Sequence, residues 1–311
     1  MLSTPIHFPV SLRSFLALVF LVIAAGCGSN STPAAATLAP GVPTQAKTAV
    51  VAATTVAPTP TITPEPQAVR IDQDGITVAE YQAELAQLQE ALQSLGKTLT
   101  PEEQRQQVLD NLTDTLLLAQ GAFENGFQAD DTAVQQAIDA LGDAKAVQDW
   151  MSQRGYTEAT FRGALRRQMA AAWMRDKIAA EVPETAEQIH IRQILTTDPD
   201  IANQALEQVK LPGSNFAAYS YQYDLATGGD LGWFPRGYLI QPEVEEAAFK
   251  MQPGEISPVI HSSVGYHILQ MISREPARLV SPDARRVLQH KALQDWLKTR
   301  KEGHKVEVLL P

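Results

Sequence analysis

The 311-residue chain is long enough for one large domain or two ordinary ones, and 44% of its residues are hydrophobic, which permits a sizeable core. It carries 35 acidic against 25 basic residues, and the resulting net charge of -10 repels phosphate backbones, so nucleic acid is not an expected partner. The single cysteine, Cys27, excludes an intramolecular disulfide and a cysteine-based metal cluster.

The first 26 residues have the layout of a signal peptide. Arg13 precedes an apolar run over residues 15–25, which is too short for a comfortable membrane span, and small residues then lead to Cys27. This ending resembles a bacterial lipobox, in which the cysteine is lipidated and begins the mature chain. We expect a lipoprotein signal peptide over residues 1–26 and lipidation of Cys27. Ordinary signal cleavage, with Cys27 left as a thiol, is the alternative.

Residues 27–67 predict a disordered linker rich in Thr, Pro and Ala. They hold almost no large apolar side chain, and their prolines lack backbone donors, so they cannot form a core. Such a linker would let a folded body move above a membrane surface.

Residues 68–187 predict a helical domain. A short strand and turn over residues 69–76 lead to a capping box between Thr77 and Glu80, which opens a helix. A second helix opens at Thr100, and helical spacing of apolar residues predicts three more, over residues 132–141, 144–153 and 158–180. Their apolar stripes indicate a helix–helix core; an additional groove for unfolded client segments is the alternative.

From residue 188 the pattern changes to short alternating runs. We predict strands over residues 190–195 and 266–272 and helices over 201–209, 215–223 and 242–250, with a glycine-rich loop around 228–234. A long amphipathic helix over 282–300 and a strand over 305–310 end the chain.

Several sequence blocks between residues 189 and 273 occur together in one order. They are Gly228-Gly229-Asp230-Leu231-Gly232-Trp233-Phe234, Pro242-Glu243-Val244-Glu245-Glu246-Ala247-Ala248-Phe249, Pro253-Gly254-Glu255-Ile256-Ser257 and Val264-Gly265-Tyr266-His267-Ile268-Leu269. Together they resemble the parvulin type of peptidyl-prolyl cis-trans isomerase. The helices before them resemble the chaperone domain of extracytoplasmic foldases of the SurA and PrsA type.

The resemblance implies an α+β fold: a helical SurA-N-like chaperone domain with an inserted parvulin module, FKBP-like, with a small antiparallel sheet flanked by helices. The module would span residues 188–276. Residues 277–311 would return as a helix and strand that pack on the chaperone domain, through Val287, Leu288, Leu293, Trp296 and Leu297; a helix docked only on the module is the alternative.

The resemblance also implies the site. The proline slot would use Leu239, Val244 and Phe249, while His267, Asp224, Gln193 and Ser262 would form its polar part, with no metal and no cofactor. Such catalysis needs an apolar slot and polar groups that support a twisted amide, and no nucleophile.

Several positions depart from the usual parvulin pattern, including Leu239, which lies near a usual methionine, and Val244, which stands at a usual phenylalanine. The family usually has His-Ile-Leu where this chain has Gln193-Ile194-Leu195. His190 lies three residues before Gln193, and because side chains alternate along a strand, the two should face opposite sides. Asp224 is the nearest candidate for an active-site acid in a shortened loop, with a plain turn residue as the alternative. His267 could serve function or structure.

These features predict an extracytoplasmic, lipid-anchored bacterial foldase that binds unfolded, proline-containing exported chains and isomerises X-Pro bonds, with activity that the departures would weaken. A holdase with an inactive parvulin module is the alternative, followed by a surface assembly subunit. The sequence does not predict the oligomeric state.

Overall fold

The computed structural model describes residues 65–310. Its first part, the helical body, begins with strands β1 (Gln67–Ile71) and β2 (Asp74–Thr77) and continues with five helices: α1 (Val78–Ser94), α2 (Pro101–Glu124), α3 (Asp131–Ala140), α4 (Ala144–Gln153) and α5 (Glu158–Ala180). The last helix, α9 (Pro282–Gly303), and strand β7 (Val306–Val308) return to it. None of the helices within the described range is both long and apolar enough to cross a membrane.

The helical body begins where the chain chemistry predicts. Thr77 accepts the N–H of Glu80 and the Glu80 carboxylate accepts the N–H of Thr77, which completes a capping box. Thr100 and Glu103 make the same arrangement at the start of α2. Glu80 is almost fully buried and forms an ion pair with Arg167 of α5, so the cap also joins two helices.

A three-stranded antiparallel sheet, in the order β2-β1-β7, brings the two ends of the described chain together. Val69 pairs with Val308, and Arg70 donates to Glu307 at 2.6 and 2.9 Å. This sheet packs on the same core as α2 and α5, which includes the fully buried Leu117. The C-terminal strand therefore closes the helical body.

The second part, the sheet domain, lies between α5 and α9 in the chain. Its elements are β3 (Thr185–Thr196), α6 (Pro199–Val209), α7 (Phe216–Ser220), β4 (Asp230–Pro235), α8 (Pro242–Lys250), β5 (Ile260–Ser262) and β6 (Gly265–Leu279). The four strands form one antiparallel sheet in the order β4-β3-β6-β5.

Two apolar clusters cover the two faces of this sheet. Ile189, Ile191 and Leu269 face α8 and pack with Phe234 and Phe249. Ile194 and Ile268 face the other way and pack with α6 and α7. This alternation follows from the two-residue period of a strand. The predicted α+β fold, a helical domain with a small antiparallel sheet flanked by helices, is confirmed.

The prediction for the glycine-rich run was wrong in one respect. Residues 230–235 form the edge strand β4, where the pattern predicted a loop. Gly228, Gly229 and Gly232 all have positive φ, between 64° and 71°, which makes the run look like a turn although a strand begins within it. β3 also begins at Thr185 and β6 ends at Leu279, because these two residues pair, so the predicted domain boundaries fall inside strands.

Helix α9 packs differently from the prediction along its first half. Leu293, Trp296 and Leu297 lie on the core of the helical body, as expected. Val287, however, is 40% exposed, and Leu288 lies against Gly237 of the sheet domain. The apolar stripe of α9 thus contacts the sheet domain in its first half and the helical body in its second half.

Candidate functional site

Three polar side chains form a continuous hydrogen-bonded chain on the α8 face of the sheet. Gln193 comes from β3, His267 from β6 and Ser262 from β5. His267 pairs across the sheet with Leu195, two residues from Gln193, so both side chains emerge on one face. The Nδ1 atom of His267 lies 3.0 Å from Gln193 Oε1, and its Nε2 lies 2.7 Å from Ser262 Oγ.

The partners determine the tautomer of His267. Gln193 Oε1 only accepts, so the proton lies on Nδ1, and Nε2 accepts the hydroxyl proton of Ser262. Ser262 Oγ in turn accepts the N–H of Val264 at 3.2 Å. Burial lowers the pKa of His267 below its ordinary value, against an opposing effect of the Glu243 carboxylate. The ring is therefore neutral at pH 7.

The three residues predicted for the proline slot lie in one cluster on this same face. Leu239 is partly exposed, whereas Val244 and Phe249 are only 2% and 3% exposed. The guanidinium of Arg236 lies 4.2 Å from the centre of the Phe249 ring and covers it. The structure thus places the apolar residues on the same face of the sheet as the polar chain, but most of the surface of Val244 and Phe249 is covered.

Glu245 is a residue of this site that the sequence interpretation missed. Its carboxylate accepts three successive backbone N–H groups, from Gly237 at 2.8 Å and from Tyr238 and Leu239 at 3.1 Å each. It therefore holds the loop that carries Leu239. The available signal was an acidic residue in the first turn of a helix that follows a glycine-containing loop.

Asp224 lies outside the hydrogen-bonded chain. Its carboxylate accepts the backbone N–H groups of Ala226, Thr227 and Gly229 and the hydroxyl of Thr227. The Thr227 hydroxyl and these amides lower the pKa of Asp224. The residue stabilises its own turn, as the alternative interpretation had it, and the turn adjoins the site because Gln193 N–H donates to Gly229 O at 2.8 Å.

The opposite face of the sheet carries a second histidine. His190 Nε2 lies 2.6 Å from Asp230 Oδ1, and Arg192 donates to the other carboxylate oxygen at 3.1 Å. The His190 ring also contacts Trp233. His190 and Gln193 face opposite sides, as predicted from strand alternation, so His190 does not replace the histidine that Gln193 displaces.

Two further predictions concern other parts of the chain. Cys27, the predicted lipidation residue, lies outside the described residues. Within residues 65–310 no group of three or more His, Cys, Asp or Glu side chains is placed to hold a metal ion.

Comparison with known proteins agrees with this architecture. Residues 49–175 match the model of a SurA-like N-terminal domain, and residues 177–273 match the model of a PPIC-type PPIASE domain. The second match contains all three members of the hydrogen-bonded chain and the three apolar residues beside it.

Individual relatives are named either chaperone SurA or foldase protein PrsA. A chaperone SurA from Dechloromonas aromatica is 29% identical over 262 residues, which cover 70% of this chain and 59% of the relative. A foldase protein PrsA from Caldanaerobacter subterraneus is 27% identical over 232 residues, with coverage of 64% and 71%. The crystal structure of a PrsA peptidylprolyl isomerase from Bacillus anthracis, at 22% identity and a TM-score of 0.39, covers 60% of this chain and 94% of its own.

Proposed function

Since the chain is a SurA- and PrsA-like protein that carries a PPIC-type peptidyl-prolyl isomerase domain, we propose that it is a foldase that binds unfolded chains and isomerises their X-Pro bonds on the α8 face of its sheet domain. The observation that carries this proposal is the Gln193–His267–Ser262 chain on the same face of the sheet as the apolar cluster that includes Leu239. It combines polar groups with an apolar surface, the two parts that the reaction needs.

Rotation about an X-Pro bond must overcome a barrier of about 18–20 kcal/mol, because the planar amide is stabilised by resonance. No bond to the enzyme is required. A surface that is apolar around the proline ring disfavours the dipolar planar amide, and a hydrogen-bond donor stabilises the twisted amide, so the two together lower the barrier.

Gln193 supplies that donor in our proposal. Its Oε1 atom is occupied by His267, while its Nε2 atom donates no hydrogen bond to any of the described residues. The Nδ1 hydrogen of His267 is donated to Gln193, and the hydroxyl hydrogen of Ser262 is donated to His267, so neither is free for a substrate. They position the Gln193 amide, and Gln193 contacts the substrate amide through Nε2.

We further propose that the protein works outside the cytoplasm on newly exported chains, tethered by a lipid at Cys27. The signal-peptide layout of residues 1–26 and the lipobox-like residues before Cys27 support this placement. The SurA-like helical body would bind unfolded segments, and the linker over residues 27–67 would give it reach from the membrane.

A holdase without turnover is the second candidate, and one observation favours it. Val244 and Phe249, two of the three slot residues, are 2% and 3% exposed, and Arg236 covers the Phe249 ring. A proline ring reaches Phe249 only if the Arg236 side chain moves away.

The cis-to-trans rate of a proline tetrapeptide, measured with and without the full chain, distinguishes the two candidates. The foldase proposal predicts a rate above the uncatalysed one and slower catalysis by Gln193→Leu, which removes the donor. Suppression of aggregation of a denatured client is measured in parallel. An uncatalysed rate together with normal suppression of aggregation would establish the holdase instead.

A further inference from the structure

Helix α9 lies outside the PPIC-type domain match but touches both parts of the molecule. Its second half is anchored on the helical body. Trp296 packs directly on Gly121 of α2, where a β carbon would lie 2.6 Å from the indole ring. Arg300 binds both carboxylate oxygens of Glu124 at 2.8 Å, so this end of the helix is held by packing and by a two-point ion pair.

The first half of α9 lies against the loop that carries Leu239. At Gly237 a β carbon would lie 3.3 Å from Leu288 Cδ2 and 3.2 Å from Lys291 Cδ. The loop backbone and the helix are therefore in close contact, and a side chain at residue 237 would require Leu288 and Lys291 to shift by a few tenths of an ångström. Gly237 also has φ of 83°, a backbone conformation that favours glycine.

The same loop is also held by Glu245. The N–H groups of Gly237, Tyr238 and Leu239 all point to that carboxylate. Leu288 is partly buried by the contact, whereas its neighbour Val287 is 40% exposed. The loop thus has two supports: a carboxylate within the sheet domain, and the Leu288 and Lys291 side chains of a helix anchored on the helical body.

We infer that Leu288 is a positioning residue for the isomerase site: it holds the Leu239 loop in place from outside the isomerase domain, so that docking of α9 on the helical body supports the proline slot. The inference rests on the proposed function for its effect on catalysis. Its structural part, the support of residues 237–239, stands independently of any turnover.

The experiment compares Leu288→Ala with Val287→Ala in the full chain. Hydrogen exchange of the amides of residues 237–239 reports loop opening, because each amide is protected by Glu245. Leu288→Ala is expected to speed this exchange by about tenfold, and Val287→Ala to leave it unchanged. Leu288→Met, which refills the volume, is expected to restore protection.

Peptide kinetics provide the second readout. Leu288→Ala is expected to raise KM about threefold to tenfold with kcat unchanged, because the loop binds substrate but does not contact the rotating bond. Equal exchange in Leu288→Ala and Val287→Ala would overturn the inference, whatever the activity. If the wild type shows no turnover but Leu288→Ala still exchanges faster, the inference stands and the proposed function is rejected.

Discussion

Each face of the sheet carries a hydrogen-bonded histidine, and the surroundings of these two histidines differ in almost every respect. His267, on the α8 face, is 3% exposed and bound to an amide oxygen and a hydroxyl. His190, on the opposite face, is partly exposed and bound to the carboxylate of Asp230, which also binds Arg192. The immediate surroundings of His267 are therefore uncharged, whereas His190 belongs to an ionic cluster on a face that also carries the apolar cluster under α6 and α7. We call the α8 face the neutral face and the opposite face the ionic face, after these histidine surroundings.

The carboxyl group of the ionic face shows the same contrast. Burial by itself would raise the pKa of Asp230, but the Gly232 N–H, His190 and Arg192 together hold that pKa below its ordinary value. The ionic face thus stabilises charge, while the burial that lowers the pKa of His267 keeps the other face neutral. Rotation about an amide bond is favoured on a neutral, desolvated surface. The neighbours of His267 and His190, and not the presence of a histidine, therefore indicate which face catalyses isomerisation.

The largest expected effect separates the two histidines by activity. His267→Ala removes the group that orients Gln193, so kcat/KM for the proline tetrapeptide should fall by about tenfold to a hundredfold. His190→Ala, the matched change on the ionic face, should stay within about twofold of wild type. Equal losses in the two variants would mean that neither face is specifically the active one.

A carboxylate at residue 193 tests the role of the Gln193 amide. Gln193→Glu keeps an oxygen for His267 but removes the Nε2 donor, so activity should fall by about tenfold, or about 1.4 kcal/mol of transition-state stabilisation. Gln193→His replaces the amide with the side chain usual in the family and should preserve or raise activity. A fully active Gln193→Glu protein would refute the donor role.

Loss of the hydroxyl at residue 262 tests whether the neutral face depends on its hydrogen bonds for stability. Ser262→Ala leaves the buried His267 Nε2 without a donor and should lower the free energy of unfolding by about 1 kcal/mol in urea denaturation. Ser263 is exposed, so Ser263→Ala is the control and should have no effect.

The smallest expected effect is a pH dependence of stability. Because the pKa of His267 is lower in the folded protein than its ordinary value of 6.5, the unfolded chain binds the proton more tightly. The stability linked to His267 should be complete above pH 6.5 and should decline as the pH falls through the lowered folded-state pKa. Thermal unfolding of wild type and His267→Ala between pH 5 and pH 8 measures this difference, and a wild type that gains stability from His267 on acidification would contradict it.

Sequence reasoning recovered most of the fold because its signals were local. The capping residues Thr77 and Thr100 begin α1 and α2 as predicted, and apolar spacing located the other helices of the body. β4 was missed because three glycines with positive φ made an edge strand look like a loop. A glycine in the sequence indicates where the backbone can adopt unusual conformations, but not whether a neighbouring strand forms hydrogen bonds with that segment.

The candidate site was predicted less evenly. Gln193, His267 and Ser262 came from a family resemblance, and their hydrogen bonds place them together. The contacts of Leu288 could not be predicted from the apolar stripe of α9, because such a stripe predicts that a residue is buried but not which element it packs against. The loop support from Glu245 was harder to predict, since its signal was a single acidic residue in the first turn of a helix and not a periodic pattern.

Chemical-shift mapping with a proline tetrapeptide tests the assignment of the active face most directly, because it needs binding and no turnover. We predict that amide signals of Gln193, Leu239 and His267 in the labelled full chain shift as the peptide is added, while those of His190 and Trp233 stay in place. Shifts confined to His190 and Trp233, or no shifts anywhere in the sheet domain, would contradict the account.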